Sequence, residues 1–154
     1  MKKTVEILKT AAVVLLPVTV TSVLSTARQL IGPGAGWDVF CLVLAVLAWC
    51  GAAVLIRLPV RGLGPMPKTG LLLSGLLVAS VLLYTVSFAM EQNVLGLQTG
   101  IWALGRLFGG PAAVSAAGMG VLLGGAEPGA AAMLSCGIYL LIALTAALPF
   151  RAKK

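Results

Sequence analysis

The sequence is divided into long apolar runs fenced by charges, and that division limits the folds open to it. The runs are Thr10–Ala27 between Lys9 and Arg28, Val39–Ile56 between Asp38 and Arg57, Thr69–Met90 between Lys68 and Glu91, and Ala130–Phe150 ahead of Arg151. Each approaches the roughly 20 apolar residues a helix needs to cross about 30 Å of hydrocarbon. In lipid a backbone must satisfy its own hydrogen bonds, which helices do within one segment. Charged residues make up 10% of the chain and apolar ones 60%, against about 25% charged in a soluble domain. The expected fold is therefore all-α, a polytopic integral membrane bundle forming one transmembrane domain.

The stretch 94–126 is apolar but interrupted by Arg106 and by Gly109-Gly110-Pro111. Proline lacks a backbone donor and disfavours helix in the residue before it. Two short helices are expected here, 94–108 and 112–126, each about 22 Å long. They either cross as short spans or form a re-entrant pair. With spans at about 10–27, 39–56, 69–90 and 130–150, the expectation is four full spans plus this broken pair, six helices in all.

Sidedness follows from the eleven Lys and Arg residues. If 94–126 makes an even number of passes, nine of them share one side: Lys2, Lys3, Lys9, Arg57, Arg61, Lys68, Arg151, Lys153 and Lys154. Arg28 and Arg106 then stand opposite. A single pass splits the charges six against five. The positive-inside rule favours the first arrangement, with both termini and the loop 57–68 cytoplasmic in a bacterial-type inner (plasma) membrane. Met1-Lys2-Lys3, the apolar stretch after Lys9 and Ser25-Thr26-Ala27 also fit a cleavable secretory signal. Pro17 and the length of the run favour a retained anchor.

Most enzyme chemistry has no footing. Histidine is absent, and the four acidic residues, Glu6, Asp38, Glu91 and Glu127, are scattered. Cys41, Cys50 and Cys136 lack metal-site spacing, and Cys41 and Cys50 fall on opposite sides of one helix. No enzyme activity, metal, cofactor or nucleic-acid partner is expected; the expected partner is the lipid bilayer. Asp38 and Glu127-Pro128 suit helix starts. Trp37 and Trp102 suit interfacial anchors, and Trp49 lies deeper. Thr19, Ser22 and Thr26 share one helix face, and Ser80, Tyr84 and Ser87 another. Such hydroxyls line a polar path or bond back to their own backbone.

The candidate substrate or ion path comprises Arg106, Glu91, Gly109, Gly110 and Pro111, because intramembrane charge and broken helices accompany transport. Ala112, Ala116, Gly120 and Gly124 recur every four residues, a small-residue face that lets helices approach closely. Gly32-Pro33-Gly34 and Leu148-Pro149-Phe150 resemble the small membrane subunit of tripartite tricarboxylate transporters over about six residues. The chain carries Trp37-Asp38 where that family usually has a proline-bearing aromatic motif, and it adds the segment 112–126. The resemblance implies a transporter accessory subunit. The expected function is transport-related: a carrier, a channel or a small transporter subunit. The alternative is a non-transporting scaffold acting through helix–helix contacts, in a homo-oligomer or a larger membrane complex. A reporter fused after Lys154 is expected to register in the cytoplasm; digestion of that end by protease on intact cells would refute the arrangement.

Overall fold

The computed structural model describes residues 2–59, 64–93 and 110–148, with side chains for 3–59, 64–82, 113–127 and 129–148. Within these residues the chain is helical throughout: α1 Lys2–Ile31, α2 Ala35–Arg57, α3 Pro67–Asn93, α4 Gly110–Leu122 and α5 Pro128–Ala147. Three helices are long and apolar enough to cross a membrane, at Lys3–Ile31, Ala35–Arg57 and Gly129–Ala147. Pro67–Leu82 and Ala113–Leu122 are shorter apolar stretches. Six helices and four full spans are thus not matched among the described residues. The segment 94–108 lies outside them, as do the α3 side chains beyond Leu82. Aliphatic side chains such as Leu15, Val23, Leu47, Val54, Leu71 and Leu141 face outward. That inversion of the soluble pattern suits a lipid surround.

Local chemistry explains where the helices stop. Gly32 adopts a left-handed conformation (φ 91°) and its N–H returns to the Arg28 carbonyl, closing α1. Pro33 follows, and Gly34 opens α2 in extended backbone. At the far end of α4, Gly124 (φ 71°) and Gly125 (φ 95°) take the same left-handed region. The Gly125 N–H bonds the Gly120 carbonyl at 2.8 Å and ends the helix. Left-handed residues of this kind are the usual glycine helix stop. α4 therefore ends before the expected residue 126, and Gly110 and Pro111, expected as a breaker ahead of residue 112, are helical. α1 begins before the expected residue 10 because Lys2–Lys9 continues the helix ahead of the apolar run.

The chain reverses so that like ends meet. Lys9 Nζ donates to the Leu58 carbonyl at 2.7 Å, joining the start of α1 to the end of α2. Arg57 donates to the Thr145 carbonyl near the end of α5. Gly70, at the start of α3, lies against the Ala147 backbone. The opposite end holds the 32–34 and 123–127 turns. α4 packs against all four other helices and its 13 residues rise only about 20 Å.

Close packing without bulky side chains holds these helices together. α2 buries Asp38, Cys41, Ala45, Trp49, Ala52 and Ile56, spaced three or four residues apart, which is one helix face. Tyr139 of α5 stacks on Trp49 at 5.2 Å, and its hydroxyl meets Ser115 of α4 at 2.5 Å, so one buried cluster ties three helices. Trp49, placed deep by the sequence, is a core residue. The hydroxyls of Thr21, Thr26, Ser74 and Ser135 bond back to carbonyls of their own helices.

The tightest approach is at Gly118, where a Cβ would come within 2.5 Å of the Asp38 carbonyl and 2.6 Å of Leu42 Cβ. Gly118→Val is expected to destabilise the detergent-purified protein by about 1–3 kcal/mol, since α4 must lift off α2. Gly75, with nothing within 4 Å of an added Cβ, is the control. Gly75→Ala should match or slightly exceed wild type in a thermal melt, because alanine is the better helix former.

Candidate functional site

Arg28 sits four residues before Gly32, and Asp38 four residues after Gly34. A turn of three residues folds α1 against α2, so these mirror positions come level. The Arg28 Nε–Asp38 Oδ1 distance is 2.6 Å, and Nη2–Oδ2 is 3.5 Å. The carboxylate is 7% exposed and the guanidinium 32%. Asp38 also lies in the first turn of α2, where the helix dipole favours negative charge. The N-cap position is Gly34 rather than Asp38, and the Asp38 carboxylate accepts from Arg28; its place in the first turn agrees with the expected helix start.

The pair borders a cavity of about 660 Å³. The other wall is α4 and the turn after it: Ala113, Ala116, Ala117, Gly120, Val121 and Gly124–Ala126. Size and composition follow from the same substitution of small for large. Gly118 lets α4 seat on α2 beside Asp38, and the alanines and glycines flanking it leave the space next to the charges unfilled. A second, largely apolar groove of about 240 Å³ lies between α3 and α5, lined by Leu77, Val81, Met133, Cys136 and Leu140 among others. It offers a ligand no charged or hydroxyl side chain.

The residues expected to form a path are dispersed. Arg106 and Gly109 lie outside the described residues. Glu91 belongs to α3, and Gly110 and Pro111 open α4, but the Glu91, Pro111 and Ala112 side chains are likewise not described. On the small-residue face, Ala116 is buried and Gly120 lies 3.7 Å, measured from its added Cβ, from the Ala126 carbonyl. Gly124 stands beyond the helix end, in the turn. Ala116, Gly120 and Gly124 all border the cavity. Of the described part of that face, Ala116 is buried, Gly120 half-buried and Gly124 exposed. Glu127 precedes Pro128 at the start of α5 without a side-chain cap bond. Trp37 stacks on Phe40 at 5.5 Å, its indole nitrogen buried and unbonded among the described residues. Trp102 lies outside them. Among the described residues no cluster of three or more potential metal ligands occurs.

Sequence reasoning had Arg28 and Asp38 as separate boundary markers. The signal that joins them is their equal distance from Gly32-Pro33-Gly34. The Ser115–Tyr139–Trp49 cluster has no such signal, since its members are far apart in sequence.

A double-mutant cycle should expose the pairing. Asp38→Asn strands the guanidinium and Arg28→Gln strands the more deeply buried carboxylate. Each single change is expected to destabilise by about 1–3 kcal/mol, below the value for a fully buried pair because Arg28 is partly exposed. The double variant should be less destabilised than the sum of the singles; strict additivity in thermal melts would show that the pair contributes no coupling.

No protein-family model matches this chain, no curated protein matches it, and no solved structure matches it.

Proposed function

We propose that this chain is a small multi-pass membrane protein with a transport-related role: a carrier, a channel or the small subunit of a transporter. One observation carries the reading, a buried carboxylate paired with a partly exposed guanidinium beside a cavity of about 660 Å³ in a bundle with an aliphatic exterior. Charge held within membrane-spanning helices is expensive and tends to mark a substrate or ion pathway. The early stop of α4 at two left-handed glycines adds support, because helices that end at membrane depth are tolerated where they line a cavity.

In this reading α1, α2, α3 and α5 are the four full spans, and α4 is the second member of a short pair. At 27 residues, α3 rises about 40 Å, enough to cross. The meeting of Lys9, Arg57 and the start of α3 at one end supports assigning that end, with both termini, to the cytoplasm of a bacterial-type cell. The cavity then opens on the outer side. Arg106, Glu91, Gly109, Gly110 and Pro111 are the proposed continuation of the path. The scaffold alternative has less support, since Ala116 is buried within the bundle and Gly120 borders the cavity beside the ion pair.

Reconstituted vesicles provide the test. Wild-type protein is expected to pass a small charged solute, and Asp38→Asn and Arg106→Leu to slow the initial rate about tenfold or more, the loss of one charge-assisted contact. Absence of flux for inorganic ions, small carboxylates and amino acids alike, or undiminished flux in both variants, would overturn the reading.

A further inference from the structure

We infer that the Arg28–Asp38 cavity binds a small zwitterion, through one oxyanion and one ammonium group, with a short aliphatic portion against α4; the inference rests on reading this cavity as the substrate end of the protein. The argument begins with unused hydrogen-bonding capacity. A guanidinium carries five N–H donors, and Arg28 commits two of them, Nε and Nη2, to Asp38. No other side-chain bond of Arg28 occurs among the described residues. A carboxylate has about four lone-pair positions, and Asp38 uses one on each oxygen. Both residues border the same cavity, with the Arg28 side chain 32% exposed and that of Asp38 7%.

The other wall sharpens the choice. The α4 C-terminus meets the cavity at Gly120, Val121 and Gly124, and the carbonyl end of a helix carries partial negative charge. A simple anion would confront Asp38 and that helix end. A simple cation would confront Arg28. A molecule bearing both charges satisfies each group with its opposite. The remaining surface, Ala113, Ala116, Ala117 and Val121, is methyl-lined and suits a small aliphatic group. The volume falls within the roughly 300–1,000 Å³ of small-molecule sites. Two sources share this chemistry: a free aliphatic α-amino acid, and the phosphoethanolamine headgroup of a lipid.

The experiment uses the full chain in phosphatidylglycerol nanodiscs. Binding of radiolabelled L-leucine is measured at equilibrium, and retention of phosphatidylethanolamine is measured by native mass spectrometry after purification from mixed vesicles. Ala117→Leu, and Ala113→Val as a second variant, fill the cavity wall without touching the ion pair; thermal melts establish that each is folded. One probe is expected to bind wild type saturably and both variants about tenfold or more weakly. For L-leucine, 4-methylpentanoate and 3-methylbutylamine, which lack one charge each, should compete about tenfold or more poorly. A leucine signal assigns the site to a free amino acid, and a phosphatidylethanolamine signal assigns it to the headgroup. The inference is overturned if neither probe binds wild type, or if the bound probe binds a folded variant equally well. Binding is read without a gradient, so the two proposals separate. Protein that binds L-leucine but passes no solute keeps the site and loses the transport reading; protein that passes ions but binds neither probe does the reverse.

Discussion

The contact of Gly118 with the backbone at Asp38 is the constraint on which the rest of the bundle depends. Apolar surface gains little by leaving lipid for protein, so helices in a membrane associate by close packing and by polar contacts. At Gly118 there is no room for even one more carbon. That closeness sets α4 against α2, and α4 in turn touches every other described helix. The Ser115–Tyr139 bond and the Tyr139–Trp49 stack then fix α5 to the same pair.

The same small residues that permit this packing create the cavity. A wall of alanine and glycine seats closely where it meets α2 and leaves space where it does not. The ion pair stands at the edge of that space, held level by the Gly32-Pro33-Gly34 turn. Stability and the candidate site therefore draw on one stripe of α4, and enlarging a residue there affects either packing or volume according to the face it occupies: Gly118 for packing, Ala113 and Ala117 for the cavity.

The two ends of the bundle differ in character. At one, Lys9 and Arg57 donate to backbone carbonyls at helix ends, where the orphan carbonyls and the negative end of the helix dipole suit cations. At the other, the described charges include the Arg28–Asp38 pair and Glu127, beside glycine-rich turns. The segregation of basic residues seen along the sequence thus has a three-dimensional counterpart in which the start of α1, the end of α2 and the end of α5 converge.

Hydropathy and charge spacing determined the helical class and the extents of α1, α2 and α5 to within a few residues at most ends, because these depend on local chemistry: lipid demands satisfied backbone, and glycine and proline punctuate helices. That Cys41 and Cys50 lie on opposite faces of α2, one buried and one exposed, agrees with the helical period, while which of them is buried depends on the neighbouring helices. The end of α4 was misjudged because apolar composition continues past Leu122, while the helix is stopped by two left-handed glycines rather than by polarity. Only the tertiary structure decided that Arg28 and Asp38 form a pair, that Gly118 is the closest approach, and that Ala116, Gly120 and Gly124 border one cavity with that pair. Those outcomes depend on which helix faces which, and a one-dimensional pattern fixes the period of a face but not its neighbour.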